Sequence, residues 1–332
     1  MLALSVLVLA AAACEHVDVF AVTVPHAAEA SVTRDASLDL HASSLEDAGQ
    51  GASSATDAGL RDLVRPSMGC LESALGAGDT DVTISVGDSS RSYVLHVPPA
   101  YDGSNPVPLI VDFHGIGESG KSELEASPYP AVTDGLGVVM ALPNGEPGPL
   151  GSAWNFGPCC VADVDDLGFT RALVADVSTK ACIDQNRIYA VGVLTGGGMV
   201  QHLACNAADV FAAVAPAAFD LIAETASSCA PTRPISVLSF RGTEDTRVPY
   251  EGGPSSVVPG MPITFLGAKE SVARWAEIDG CSGSASAEDE HGCAYYSGCT
   301  AGVEVGLCTQ HGGMEAPGDA NVAWPVLARH HL

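Results

Sequence analysis

The chain has 332 residues, 47% of them apolar and only 5% aromatic, enough for one large core built mainly from Ala, Val and Leu. Acidic residues number 40 against 14 basic ones, a net charge of -26. Such a surface repels phosphate backbones and anionic headgroups, which excludes a nucleic-acid-binding function.

Residues 1–14, MLALSVLVLAAAAC, form a short apolar run ending in small side chains, too short to span a bilayer, and read as an export signal. Cys14 follows Ala11, Ala12 and Ala13 in a pattern that resembles a bacterial lipoprotein cleavage site. It predicts acylation of that cysteine and contact with a membrane only through the lipid. Residues 15–67 are rich in Ala, Ser and Asp and carry no sustained apolar periodicity. A segment of this kind cannot bury enough surface to offset its ordering entropy, so a disordered acidic spacer is expected there.

From 68 to 332 short β-branched runs alternate with helical stretches, the pattern of an α/β domain with a mostly parallel sheet and helices on both faces. Strands are expected at 81–86, 91–97, 108–113, 137–142, 187–193, 235–240 and 303–307, several apolar nearly throughout, as strands buried on both faces should be. Helices are expected at 166–179, 197–205 and 271–278, and residues 280–298 read as a disulfide-tied loop. Setting Cys14 aside leaves ten of the 11 cysteines, and an even number in an exported chain predicts a disulfide framework. Cys159 and Cys160 are adjacent and are expected to bridge two different partners. No zinc-type spacing occurs, and no metal is expected. Trp154 and Trp275 are expected in the core, and His330 and His331 in a frayed tail.

Three features sit at strand ends, where open α/β sheets place their chemistry. The sequence Asp112-Phe113-His114-Gly115 leaves the apolar run 108–111, and an H-G pair there can shape a loop of backbone N–H donors for a developing oxyanion. Next, Gly192-Val193-Leu194-Thr195-Gly196 has the strand–turn–helix form of a nucleophile elbow, but its apex, Leu194, offers no nucleophile. Third, Asp245, after the run ending in Phe240, stands where such a fold holds the carboxylate that orients a histidine. Gly196-Gly197-Gly198 lacks the Lys-Ser/Thr of a phosphate-binding loop. Asp163, Asp165 and Asp166 read as a solvated acidic helix start rather than calcium ligands.

Together these residues resemble the secreted esterase family that includes polyhydroxybutyrate depolymerases and feruloyl esterases. The likeness runs through RSYVLHVP at 91–98, PLIVDFHG at 108–115, LPNG at 142–145 and VDDLGF at 164–169. It continues through ACIDQNRIYAVG at 181–192, LACN at 203–206, GTEDTRVPYEGG at 242–253 and the cysteines at 293, 299 and 308. The resemblance implies an α/β-hydrolase fold, a cofactor-free serine esterase reaction, and a disulfide between Cys205 and Cys229. It also places Leu194 at the serine position, Met314 at the histidine position and Asp245 at the acid position. Two of three triad members are thus apolar, which implies an impaired enzyme or a binding protein for an ester-bearing polymer or polysaccharide. The alternative is an active carboxylic ester hydrolase using Thr195 as nucleophile or His311 as base. Thr195 is β-branched and sits one residue past the apex, and His311 falls before the glycines that should precede the base.

Overall fold

The computed structural model describes residues 64–71, 75–258, 261–314 and 317–332. The expected signal, Cys14 and nearly all of the expected spacer lie outside the described residues. Tertiary contacts are already made by Arg65, whose amide donates to Asp184 Oδ1 at 2.9 Å, and by Ser67, whose hydroxyl donates to the Ala181 carbonyl at 2.7 Å. The Cys70–Cys182 disulfide, spanning 112 residues, then ties this entry segment to the sheet.

Strands β1 (Gly78–Val86) and β2 (Ser89–Val97) pair antiparallel across Gly87-Asp88. Gly87 has φ 57°, the left-handed value that a two-residue hairpin turn demands. The chain then gives β3 (Val107–Phe113), α1 (Gly120–Ala126), α2 (Pro130–Thr133) and β4 (Val139–Pro143), followed by a small hairpin of β5 (Glu146–Gly148) and β6 (Gly151–Ala153). Helix α3 (Asp166–Lys180) leads to β7 (Ile183–Val193), α4 (Thr195–Asn206), β8 (Ala213–Ala217), α5 (Ala223–Ala226) and β9 (Ser236–Gly242). A second hairpin, β10 (Gly253–Val258) with β11 (Met261–Phe265), precedes α6 (Ala268–Ile278), β12 (Cys293–Tyr296), β13 (Val305–Gln310) and α7 (Ala320–Leu327).

Among the described residues nine strands form one sheet in the order β1-β2-β4-β3-β7-β8-β9-β13-β12. It is parallel from β4 to β13 and antiparallel at both ends. One face packs Phe169, Leu173, Met199, Leu203 and Trp275 from α3, α4 and α6; the other packs Tyr129, Ala323 and Trp324 from around α2 and α7. Every side chain of β4 and β8 is buried, because parallel strands covered on both sides have no face to spare for water. None of the described helices is long and apolar enough to cross a membrane.

Five disulfides join Cys70–Cys182, Cys159–Cys160, Cys205–Cys229, Cys281–Cys299 and Cys293–Cys308. The expectation of separate partners for Cys159 and Cys160 is therefore corrected: they bridge each other, and the eight other cysteines among the described residues are paired among themselves. The 280–298 segment is tied down by two of these bonds and contributes the edge strand β12. Nor is the C-terminus frayed. His330 Nε2 lies 3.1 Å from Glu304 Oε2, its carbonyl accepts the Tyr189 hydroxyl at 3.0 Å, and the Leu332 amide donates to the Asn186 carbonyl at 3.0 Å.

Candidate active site

At the end of β7 the backbone turns through Leu194 at φ 53°, ψ -123° before α4 begins at Thr195. A non-glycine residue held at positive φ costs about 1–3 kcal/mol and persists only where its surroundings over-determine it. Here the surroundings do so. The Leu194 amide donates to the Ala217 carbonyl at 3.0 Å, and its carbonyl accepts the Gly198 amide at 3.0 Å. A Cβ on Gly196 would stand 1.9 Å from the Phe113 carbonyl oxygen, and one on Gly192 2.8 Å from it. Both glycines are therefore compulsory for β7, α4 and the end of β3 to meet. The elbow is complete in backbone, with leucine at its apex.

The loop after β3 faces this apex. Its Ile116 amide has no protein acceptor among the described residues, and the Thr195 amide is one of the free donors at the start of α4. The Gly115 amide, by contrast, donates to Glu118 Oε2 at 2.9 Å. A Cβ on Gly115 would stand 3.0 Å from that oxygen and 3.5 Å from Leu194 Cδ1, so carboxylate and leucine flank the same point. The hairpin β5–β6 leans on this loop through the Gly117 amide, which donates to the Ser152 carbonyl at 2.8 Å.

His114 is fully buried and works as a brace. Its Nε2 accepts the Gly145 amide at 3.0 Å, which leaves Nδ1 as the protonated nitrogen, 2.6 Å from the Gly115 carbonyl. Burial holds the ring below the usual imidazole range, so it stays neutral. Its carbonyl accepts the Trp154 indole N–H at 2.9 Å. Thr195 Oγ1 is buried and has no hydrogen-bond partner among the described residues, so no base touches it.

Asp245 and Met314 lie in two loops that meet. The Gly313 carbonyl accepts the Glu244 amide at 2.8 Å, and a Cβ on Gly242 would stand 2.4 Å from that carbonyl oxygen and 3.2 Å from Met314 C. Met314 is 59% exposed. Asp245 is buried, and its Oδ1 accepts the Arg247 and Val248 amides at 2.8 and 2.9 Å. Its Oδ2 is 3.5 Å from Arg241 Nη2. His311 is directed elsewhere, with Nε2 2.7 Å from Glu288 Oε2 on the 280–298 segment. Leu194 is thus brought to Gly115, and Asp245 to the Met314 loop.

Two buried charge clusters escaped the sequence reading. Arg241 is fully buried and also pairs with Asp220, which burial pushes up to about 6 despite the guanidinium beside it. A charged residue ending the apolar run 235–240 was the available signal. Near the β3 loop, Asp112 is pushed up to about 6 by burial, and Glu123 on α1 up to about 9 by burial and by the Asp112 and Glu118 charges. At the acidic start of α3, Asp163 and Asp165 are exposed, but Asp166 is not solvated. Asp166 is buried, 2.7 Å from Arg91 Nη2, and accepts the Asn155 amide at 2.7 Å, while Asp165 caps the helix through the Gly168 amide at 2.7 Å. Among the described residues no group of three or more His, Cys, Asp or Glu is placed to hold a metal ion.

Glu123 supplies a pH test of this packing. Its folded-state proton affinity exceeds that of the unfolded chain, so the stability it contributes is full below about pH 4.3 and is lost as pH rises through about 9. Glu123→Gln removes that loss. Its stability gain should grow by up to about 1.4 kcal/mol per pH unit, reaching up to about 3 kcal/mol between roughly pH 5.5 and 7.5 in urea melts. A gain independent of pH would mean that Glu123 titrates like a solvated carboxylate.

No family model matches the sequence. Among curated proteins the chain is 41% identical over 245 residues to feruloyl esterase B of Piromyces equi, covering 73% of this chain and 46% of that protein. It is 26% identical over 266 residues to feruloyl esterase D of Neurospora crassa, covering 76% of this chain and 83% of that one. The chain spans about half the length of the first of these relatives. Among solved structures it is similar to an acetyl xylan esterase from Aspergillus awamori (TM-score 0.56, 14% identity, 76% of this chain and 99% of that one). A thermostable esterase gives a TM-score of 0.54 at 16% identity, covering 76% of this chain and 63% of that one.

Proposed function

The chain belongs to the feruloyl esterase-like family of α/β-hydrolases, and from that premise we propose that it is an exported member that binds ester-bearing polymers or polysaccharides without turning them over. The observation that carries this reading is Leu194 at the apex of an otherwise complete elbow. An acyl enzyme needs an oxygen or sulfur at that apex, and a base to take its proton. Leucine supplies neither, and the loop that meets Asp245 presents Met314. The Ile116 and Thr195 amides, without an acceptor among the described residues, are available as donors to an ester carbonyl, which supports recognition of such a group. Five disulfides fit an oxidising compartment and support export.

The test assays p-nitrophenyl acetate and methyl ferulate with the wild type, Thr195→Ala and His311→Ala, alongside retention on xylan and polyhydroxybutyrate granules. Background hydrolysis in all three proteins, with saturable retention on one polymer, is the expected result. Turnover by the wild type that disappears in Thr195→Ala would replace this reading with that of an active esterase.

A further inference from the structure

Glu118 has no role in the serine-esterase scheme, yet it occupies a telling place. It is exposed at the mouth of the loop after β3, and its Oε2 accepts the Gly115 amide at 2.9 Å. Its own amide donates back to the Gly115 carbonyl at 3.3 Å, closing the turn in both directions. The carboxylate flanks the same point as Leu194 Cδ1, and Ile116 and Thr195, whose amides have no acceptor among the described residues, are the residues next in chain to Gly115 and Leu194. One amide of the loop is therefore already satisfied by an internal anion, while the next remains open to a ligand's carbonyl oxygen.

We infer that Glu118 is a specificity-determining residue that admits neutral esters to the apex and rejects free carboxylates. The inference rests on the reading of the site as a carbonyl-binding cleft. A bare helix start and loop amide would favour an anion over a neutral carbonyl. Ester hydrolysis by other enzymes leaves carboxylic acids, and without a countercharge these products would compete with the polymer for the same donors. A carboxylate placed on Gly115 reverses that preference, because two like charges a few ångströms apart at a protein surface repel by enough to lower affinity about tenfold. Among the described residues no salt bridge reaches Glu118, and the groups that feel its charge are the neutral His114 ring and the Glu123 carboxyl.

Glu118→Gln separates charge from shape, since the amide oxygen can still accept the Gly115 N–H. The experiment follows backbone amide resonances of the full isotope-labelled chain during titration with sodium acetate at neutral pH, in wild type, Glu118→Gln and Glu118→Ala. Expected is a saturable shift of the Ile116 and Thr195 amides in both variants, with an acetate Kd at least about tenfold below that of the wild type. Equal response in wild type and Glu118→Gln, or no response of these amides in any of the three proteins, overturns the inference. Acetate carries no polymer or aromatic group, so loss of retention on xylan or polyester with an intact acetate effect would instead count against the binding function alone.

Discussion

Leu194→Ser combined with Met314→His is expected to hydrolyse p-nitrophenyl acetate at least about 10³-fold faster than the wild type, with each single substitution close to background. The triad acts as a unit, and loss of serine or histidine alone costs about as much as loss of all three, near 10⁶-fold in the subtilisin example. The expected gain is therefore concentrated in the double variant. The backbone needed for it is in place: Leu194 already holds φ 53°, and the Gly192 and Gly196 contacts leave no other path for the chain. Asp245 keeps Oδ1 on two amides and has only a 3.5 Å contact at Oδ2, which leaves that oxygen able to accept an imidazole N–H.

The rate should still fall short of a natural triad, because the Met314 loop is exposed and a histidine there would have to be ordered before it could act. Burst kinetics and a phosphonate adduct on the introduced serine would check the outcome. A folded double variant that remains inert would show that the base belongs elsewhere in the chain, or that the apex cannot receive an ester.

The elbow was legible because its requirement is steric: two glycines on either side of one strained residue leave a spacing that can be read directly from Gly192 to Gly196. Strand β3, the 188–193 part of β7 and most of β9 were legible as largely apolar runs, whereas the polar residues 184–186 hid the start of β7. Strand β8 was not, since Ala213–Ala217 has little β-propensity and contains Pro216. The hairpin β5–β6 and the short helix α1 were missed for a related reason, as elements of three to seven residues carry too few periods to stand out. His114 was placed at the site by its position in the sequence, but which way its ring turns depends on the Gly145 amide, thirty-one residues away. The partner of a buried ion is equally a tertiary fact. Nothing within the run ending at Arg241 announces Asp220.

That buried ion pair makes the second large prediction: Arg241→Ala should cost about 3–5 kcal/mol of folding stability at neutral pH in urea melts. The guanidinium is fully buried and contacts the Asp220 carboxylate, Asp245 Oδ2 and the Val248 carbonyl. Removing it strands two carboxylates where water cannot reach them, and a buried charge without a partner is among the most costly single defects. Arg241→Lys should recover only part of the loss, because one ammonium group cannot span three acceptors that the fork reaches together. The pH dependence has a definite sign. Burial already pushes Asp220 up to about 6, so the proton it gains in the folded state stabilises the fold below the unfolded value near 3.9, an advantage lost as pH rises through about 6. Without Arg241 that affinity should rise further, so the variant's deficit should shrink at about pH 5 and widen at about pH 8. Pairing Arg241→Ala with Asp220→Asn should return at least about 1.5 kcal/mol of the loss in a double-mutant cycle. Full additivity of the two substitutions would mean that the pair carries no coupling, and that Arg241 acts only through its contacts with Asp245 Oδ2 and the Val248 carbonyl.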